Sequence, residues 1–585
     1  MKLSPAAAHF LTPQLSTILF AIKGLSAVAL ALTIAFYMQL ERPFWAVVAA
    51  MMLQGRPQVG LVAEKSLLLI AATICGGLIG CLILESFLHH PALAIATLAV
   101  TTFIASYVGS AHRHVNYTYG CALVPVTASI VTLLAGADAP HLTSKAIFDI
   151  LVSRLSEVSV GAVCATLCSA LIVPSRLGSL HRLHAESLVQ ETINCLASAF
   201  DVKTDLKEIR QRKRHLLVTI SILLDESRAA KLESPGNYAG LIAHEALNLV
   251  IMIQAVIRYR LKHKILPLSL FDTIHVALAK QKYQPITTGQ TRGLLEYVLL
   301  QNPLCPAALD QFKPPLIGDL LELVENIDKY LNAMLAACGN KHNGATPIKP
   351  RLSHDFTSNG LIALRSTVYI ISSSSFWLMS GGTPSQVMMI IIPLLFAQLF
   401  STVPNPSAVI RKLIMGALVA VPVGTLWAMN LLSFGTGNFE ILLIIFLIPL
   451  FFALITMAYA PSAPGGIAFS FVYVLMVQPD NYMPFDFYTS LSLSLGVIAG
   501  LCILYVCVAI VPKPMAKHTQ INALRHLARK ASRLEQGVLD QAAFQSTAKG
   551  VMLHLARHSE NHPRGDKSVG RAMQLFNKAM RKGNL

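Results

Sequence analysis

Cations and amides set inside apolar runs are the residues of this 585-residue chain that could do chemistry, and they come in matched pairs. Lys23 and Arg365 each interrupt a long apolar run about one turn from its polar edge. A cation in lipid must snorkel to the interface, find a partner, or line a wet cavity. In the last case the two residues offer an electropositive path to an anion, Lys as a point charge and Arg as a bidentate carboxylate donor. Gln54 and Gln398 stand near the ends of two short apolar runs, Phe44 to Gly55 and Gln386 to Ser401, and supply matching amides. Arg56, Pro57 and Gly60 follow the first; Pro393 interrupts the second, and Pro404 and Pro406 follow it. These are either short helices ending in ordinary turns or broken helices that present backbone groups to a ligand. His112, Arg113 and His114, followed by Asn116, Tyr117 and Tyr119, form a basic aromatic cluster. It reads as a cytoplasmic loop obeying the positive-inside bias, or as ring faces and a titrating imidazole for an aromatic carboxylate. Asp149 and Glu157 are the acids best placed to carry a coupled proton, with a loop carboxylate and a helix-end anchor as the plainer alternatives.

Other chemistry is excluded by absence. The chain has no G-x-x-x-x-G-K-[ST], H-E-x-x-H or G-x-S-x-G, and Gly465-Gly466 alone is too weak for a nucleotide site. Seven of the ten cysteines lie within apolar runs, and Cys164 with Cys168 and Cys502 with Cys507 lack both C-x-x-C spacing and nearby His partners. No enzyme activity, metal or cofactor is expected.

The elements that must position these residues are helices in lipid. Mean hydropathy is +0.57, and 13% of residues are charged against about a quarter in soluble domains. Residues 1–173 hold 8 Lys/Arg and residues 359–512 hold 3, whereas 174–358 hold 22 and 513–585 hold 14. The charge therefore sits in two soluble segments, and the blocks between them are the membrane. Each block contains six apolar runs, and similar strings end them, ALIVPS at Ala170 to Ser175 and VAIVPK at Val508 to Lys513. The expected fold is an all-α polytopic membrane protein with two parallel six-helix repeats, a layout typical of transporters. The expected domains are a first transmembrane half (1–174), a helical cytoplasmic domain (175–357), a second transmembrane half (358–512) and a basic tail (513–585). The run from Ile18 to Gln39 is read as the first transmembrane helix, not as a cleavable signal. The concentration of Lys and Arg after Pro174 and Pro512 places both termini in the cytoplasm. It also sets the tail against anionic membrane lipids and makes nucleic acid an unneeded partner.

The string RPFWAVVAAMMLQGRPQVG (Arg42 to Gly60), the small-residue stretch CGGLIG (Cys75 to Gly80), the ALIVPS end and the six-plus-six layout resemble the fusaric acid resistance protein family, and within it the aromatic acid exporters. The resemblance covers both membrane halves. It implies a bacterial inner-membrane efflux component that exports aromatic carboxylic acids, driven by the proton gradient. A periplasmic adaptor of the membrane fusion type and a homo-oligomeric, dimeric assembly are implied by the same likeness. Where the family has a basic residue and a Gly-Thr pair leading into the third helix, this chain has Lys65 and Cys75-Gly76. The alternatives are a passive anion channel and a membrane scaffold or stress sensor.

Overall fold

An apolar segment in lipid must close its own backbone hydrogen bonds, which a helix does within one segment. In the computed structural model of this protein every regular element among the described residues is helical. The structure describes residues 10, 12–55, 59–87, 89–112, 115–136, 144–172, 177–201, 204–233, 238–262, 314–338, 356–383, 386–401, 403, 405–433, 438–481, 486–511, 516–559 and 565–583. Arg56, Arg113, His114 and the linker 339–350 lie outside them.

The chain divides into two compact units, Met1–Arg176 with Phe356–Pro514, and Leu177–Asp355 with Met515–Leu585. In chain order the first unit holds α1 (Leu15–Tyr37), α2 (Phe44–Leu53), α3 (Val59–Phe87), α4 (Pro91–His112), α5 (Val115–Ser129) and α6 (Ser144–Leu171). After the intervening segment it continues with α11 (Phe356–Met379), α12 (Met388–Phe400), α13 (Pro406–Val423), α14 (Phe439–Ala458), α15 (Ala463–Val477) and α16 (Phe487–Ile510). The second unit holds α7 (Leu177–Phe200), α8 (Leu206–Glu233), α9 (Ala239–Lys262) and α10 (Pro314–Cys338), then α17 (Ala516–Glu535), α18 (Gln541–Ser559) and α19 (Gly565–Gly583). π-Helical turns continue α5 at Ile130–Leu134 and α13 at Gly424–Met429. Each follows shortly on an internal proline, Pro125 and Pro422, whose missing N–H disturbs the regular ladder.

Ten helices among the described residues are long and apolar enough to cross a membrane, and the chain is a multi-pass membrane protein. Nine belong to the first unit. Their outward faces carry exposed Leu67, Leu78 and Leu82 on α3, Leu171 on α6, and Val506 and Ile510 on α16, a surface suited to lipid. The tenth is α9, whose apolar length is spent inside the second unit, where Ala243, Leu247, Val250 and Ile253 are fully buried.

One continuous core runs through both blocks of the first unit. Lipid gives helices no hydrophobic drive to associate, so close packing must hold them. Glycines supply the close approach at two pairs of crossings. A Cβ on Gly161 of α6 would lie 2.3 Å from the Ala46 carbonyl of α2, and one on Gly500 of α16 would lie 2.0 Å from Met389 O of α12. Likewise a Cβ on Gly76 of α3 would meet Val124 O of α5 at 2.4 Å, and one on Gly416 of α13 would meet Gly465 O of α15 at 2.0 Å. The blocks interlock through α4 on α11, α5 on α12 and α1 on α14, the last marked by Phe36 and Phe439 with ring centroids 5.2 Å apart.

In the second unit, the tail that charge sets apart in the sequence shares one core with the central segment. Phe544 and Phe576 stack at 5.9 Å within it, and Leu527, Val551 and Met573 join Leu217, Leu247 and Leu331. Lys549 of α18 is buried there with its Nζ 3.2 Å from His244 Nε2 of α9. Burial disfavours its charged form and pushes its amine from 10.5 down to about 8, against the raising influence of Glu245. Between about pH 8 and 10.5 the unfolded chain therefore binds more protons at this site than the folded one. The penalty is fully present below that window, so stability rises with pH across it. We expect melting of the second unit to shift upward over this range and the shift to vanish in Lys549→Met, as measured by thermal unfolding in detergent. A flat wild-type profile would contradict the assignment.

Candidate functional site

The short helix α2 organises the site. Ten residues span about 15 Å, half the hydrocarbon thickness, so α2 cannot reach both membrane surfaces. Nine of its ten residues are buried. A helix buried in this way exposes its unpaired N–H groups at one end and its carbonyls at the other, with partial positive and negative charge. Each end meets a countercharge from elsewhere in the chain. At the amino end, Glu157 Oε1 of α6 accepts the backbone N–H of Arg42 at 3.1 Å and a second bond from Ser153 Oγ at 3.4 Å. At the carboxyl end, Lys65 Nζ of α3 donates to Met52 O at 2.5 Å.

Glu157 is 1% exposed and forms a 3.8 Å ion pair with Arg154, whose guanidinium lies 3.7 Å above the Trp45 ring. Guanidinium over indole is a favourable cation–π arrangement, stronger when desolvated. Tyr119 of α5 is buried within electrostatic reach of Arg154, and its ring centroid is 4.2 Å from Lys65 Nζ. At each end of α2 a cation therefore faces an aromatic ring, Arg154 on Trp45 at one end and Lys65 on Tyr119 at the other. Trp45 and Leu53 are about 12 Å apart along the helix axis.

At the carboxyl end of α2 the two blocks enclose a cavity of about 320 Å³. Met51, Met52, Leu53, Leu61, Lys65, Asn116 and Tyr119 line it from the first block, and Leu399, Phe400, Met457, Ile467 and Phe471 from the second. Its size is at the lower end of small-molecule sites, about 300–1,000 Å³. Among these residues the one formal charge is the Lys65 ammonium. Asn116 Nδ2 is engaged with Glu64 Oε2 at 2.7 Å, while Tyr119 and Phe471 present aromatic walls. Among the described lining residues, one cation beside aromatic faces can pair with an anion while packing against a ring.

The residues singled out from sequence are distributed unevenly around this chamber. Tyr119 lines it; Tyr117 is half-buried and outside the lining. His112 closes α4, with its side chain outside the description, as are Arg113 and Arg56. Lys23 is 4% exposed within α1 and does not line the cavity. Arg365 is 1% exposed in α11, so it does not snorkel outward; its Nη1 donates to Ser401 O, just past α12, at 3.4 Å. The two amides have different environments. Gln54 Nε2 is satisfied by Ala165 O and Ser169 Oγ of α6, both at 3.1 Å, which pins α2 to α6. Gln398, buried in α12, has neither amide atom hydrogen-bonded to any described residue. Asp149 and Glu157 also part company: Asp149 is exposed inside α6, not in a preceding loop, whereas Glu157 is buried. In the sequence Lys65 stands out only against the family pattern, and Arg154 and Trp45 do not stand out as site residues. The i, i+3 spacing of Arg154 and Glu157 was the available signal. Among the described residues no three His, Cys, Asp or Glu side chains gather in a way that could hold a metal.

The p-hydroxybenzoic acid efflux pump subunits AaeB of Shigella dysenteriae serotype 1 (strain Sd197) and Escherichia coli O9:H4 (strain HS) are each 25% identical to this chain, over 93% of it and 80% of their own length. No solved structure matches it. The profile of the fusaric acid resistance protein family matches residues 17–577, so the chain belongs to the fusaric acid resistance protein family.

Proposed function

We propose that this protein is an efflux transporter for small aromatic carboxylates, of which p-hydroxybenzoate is the leading candidate. The observation that carries the reading is the chamber between the two blocks, where the Lys65 ammonium stands beside the Tyr119 ring in walls that are mostly apolar. A carboxylate pairs with the ammonium while its ring replaces water against Phe400, Met457 and Phe471. The relatives' names, as subunits of p-hydroxybenzoic acid efflux pumps, support the same substrate class and a multi-component assembly. Within this reading, the two blocks of the first unit are parallel six-helix repeats. Their support is the recurrence of a short second helix, and of glycine crossings between helices two and six and between helices three and five of each block. The protein resides in the bacterial inner membrane with both termini cytoplasmic, as the basic second unit favours under the positive-inside bias. Glu157 carries the coupled proton, and a periplasmic adaptor completes the export path.

The test is uptake of labelled p-hydroxybenzoate into inverted membrane vesicles containing the chain, with and without an uncoupler. Accumulation above the medium that collapses with the uncoupler is expected. Flux that only equilibrates the compound and ignores the uncoupler would mark a passive anion channel. No flux of any aromatic acid would refute the exporter.

A further inference from the structure

We propose that Arg365 forms a second carboxylate-binding station, separate from Lys65, and that it adds to the preference for carboxylates over neutral aromatic compounds. The inference rests on the exporter reading above and adds to it a site that the cavity does not contain.

The guanidinium of Arg365 is 1% exposed, and one of its three nitrogens, Nη1, is used by Ser401 O. Nε and Nη2 have no hydrogen-bond partner among the described residues. These two nitrogens share one edge of the planar group, and their N–H bonds run parallel, the geometry that grips both oxygens of a carboxylate. Gln398, 4% exposed and one turn before Ser401, likewise has its Nε2 and Oε1 unpartnered among the described residues. Asn359 Nδ2 and Ser366 Oγ of α11 are in the same condition. Buried donors are seldom left unmet, because each lost its hydration on folding. In the first block the counterpart amide, Gln54, is fully engaged with α6.

Among the described residues no acid is hydrogen-bonded to this edge. Residues 359–512 contain three acids, Glu440, Asp480 and Asp486, and all stand in the first turn of a helix or in the turns beside one. α4, which packs along α11, contains none. The cation is thus equipped for a carboxylate from outside the fold. Leu399 and Phe400, between Gln398 and Ser401, line the chamber, so this turn of α12 borders both the chamber and Arg365. In the proposal, a carboxylate released from Lys65 passes to this edge.

Arg365→Lys separates this role from a structural one. Lysine keeps a positive charge and a donor for Ser401 O at the carboxyl end of α12, where a cation is favourable, but loses the parallel pair. In inverted vesicles containing the full chain, transport of labelled p-hydroxybenzoate is competed with unlabelled acid and with its neutral isostere, p-hydroxybenzamide. Wild type is expected to favour the acid over the amide by about tenfold or more, the worth of a charge-assisted bond. Arg365→Lys should lose a several-fold part of that preference, Lys65 retaining the rest, and slow transport, with an unchanged melting temperature. Gln398→Leu should shift the preference in the same direction by less, and it supplies the reading if the Arg365 variant fails to fold. An undiminished preference and rate in Arg365→Lys, or in Gln398→Leu where only that variant folds, overturns the second station while leaving the exporter intact. A wild-type chain that moves no aromatic acid overturns both.

Discussion

Replacing Lys65 by Gln is expected to cut p-hydroxybenzoate transport by roughly ten- to a hundredfold, through a raised apparent KM. The magnitude follows from removing the charged partner of a carboxylate in an apolar chamber, worth about 1.5–3 kcal/mol. Lys65 also holds Met52 O at the carboxyl end of α2, and losing a cation at such a terminus costs about 0.3–1 kcal/mol when exposed and up to about 2 when buried. Glutamine retains a donor for that carbonyl, so the variant should fold and reach the membrane. Lys65→Arg restores charge and should recover most of the transport, though with altered affinity, because the guanidinium is larger and planar against Tyr119. Initial rates across a concentration series in inverted vesicles make the distinction. A Lys65→Gln protein with wild-type KM would remove the ammonium from substrate binding and leave it as a helix anchor.

Glu157→Gln is the second large effect, and it should separate coupling from conduction. Glutamine can still accept the Arg42 N–H and approach Arg154, yet it cannot take up a proton. The variant should therefore equilibrate p-hydroxybenzoate down its gradient while failing to accumulate it when a pH gradient is imposed. A cost in stability accompanies this, since removing one member of a buried ion pair typically costs about 3–5 kcal/mol. Here the Trp45 face continues to support the Arg154 cation and should soften the loss. The double variant Glu157→Gln/Arg154→Gln removes the unpaired charge and should regain melting temperature without regaining accumulation. If accumulation returns with stability, Glu157 is a structural partner of Arg154 and the coupled proton binds elsewhere.

Both predictions turn on α2, and the two ends of that helix explain why its neighbours carry charge at all. A helix of half-membrane length cannot bring both termini to water, and a terminus kept from water demands an ionic or polar partner within the protein. Glu157 and Lys65 meet that demand at α2, and Arg365 meets it at the carboxyl end of α12. The same shortness opens space between the blocks. The chamber lies at the carboxyl ends of both short helices, lined by Met51 to Leu53 on one side and Leu399 and Phe400 on the other.

The amino-acid sequence by itself determined a great deal of this protein. Apolar runs with few charges gave its helical character, its membrane blocks and the shortness of α2, because backbone satisfaction in lipid leaves the chain no other choice. The order of features, from the Arg42 to Gly60 string to the six-plus-six layout, carried the resemblance to the family, whose match spans residues 17–577. Which polar residues would meet was decided only by the tertiary structure. Lys23 and Lys65 are both cations at the edges of apolar runs, yet only Lys65 reaches the chamber, and Gln54 is satisfied where Gln398 is not. The physical reason is that lipid and protein core are equally apolar, so hydrophobic periodicity in the first unit does not say which face of a helix turns inward. That rotation is set by contacts such as Gly161 on Ala46 and Gly500 on Met389, between residues more than a hundred positions apart. In the second unit the union of the tail with the central segment was hidden for a related reason: amphipathic helices announce that they need a partner, and only packing names it.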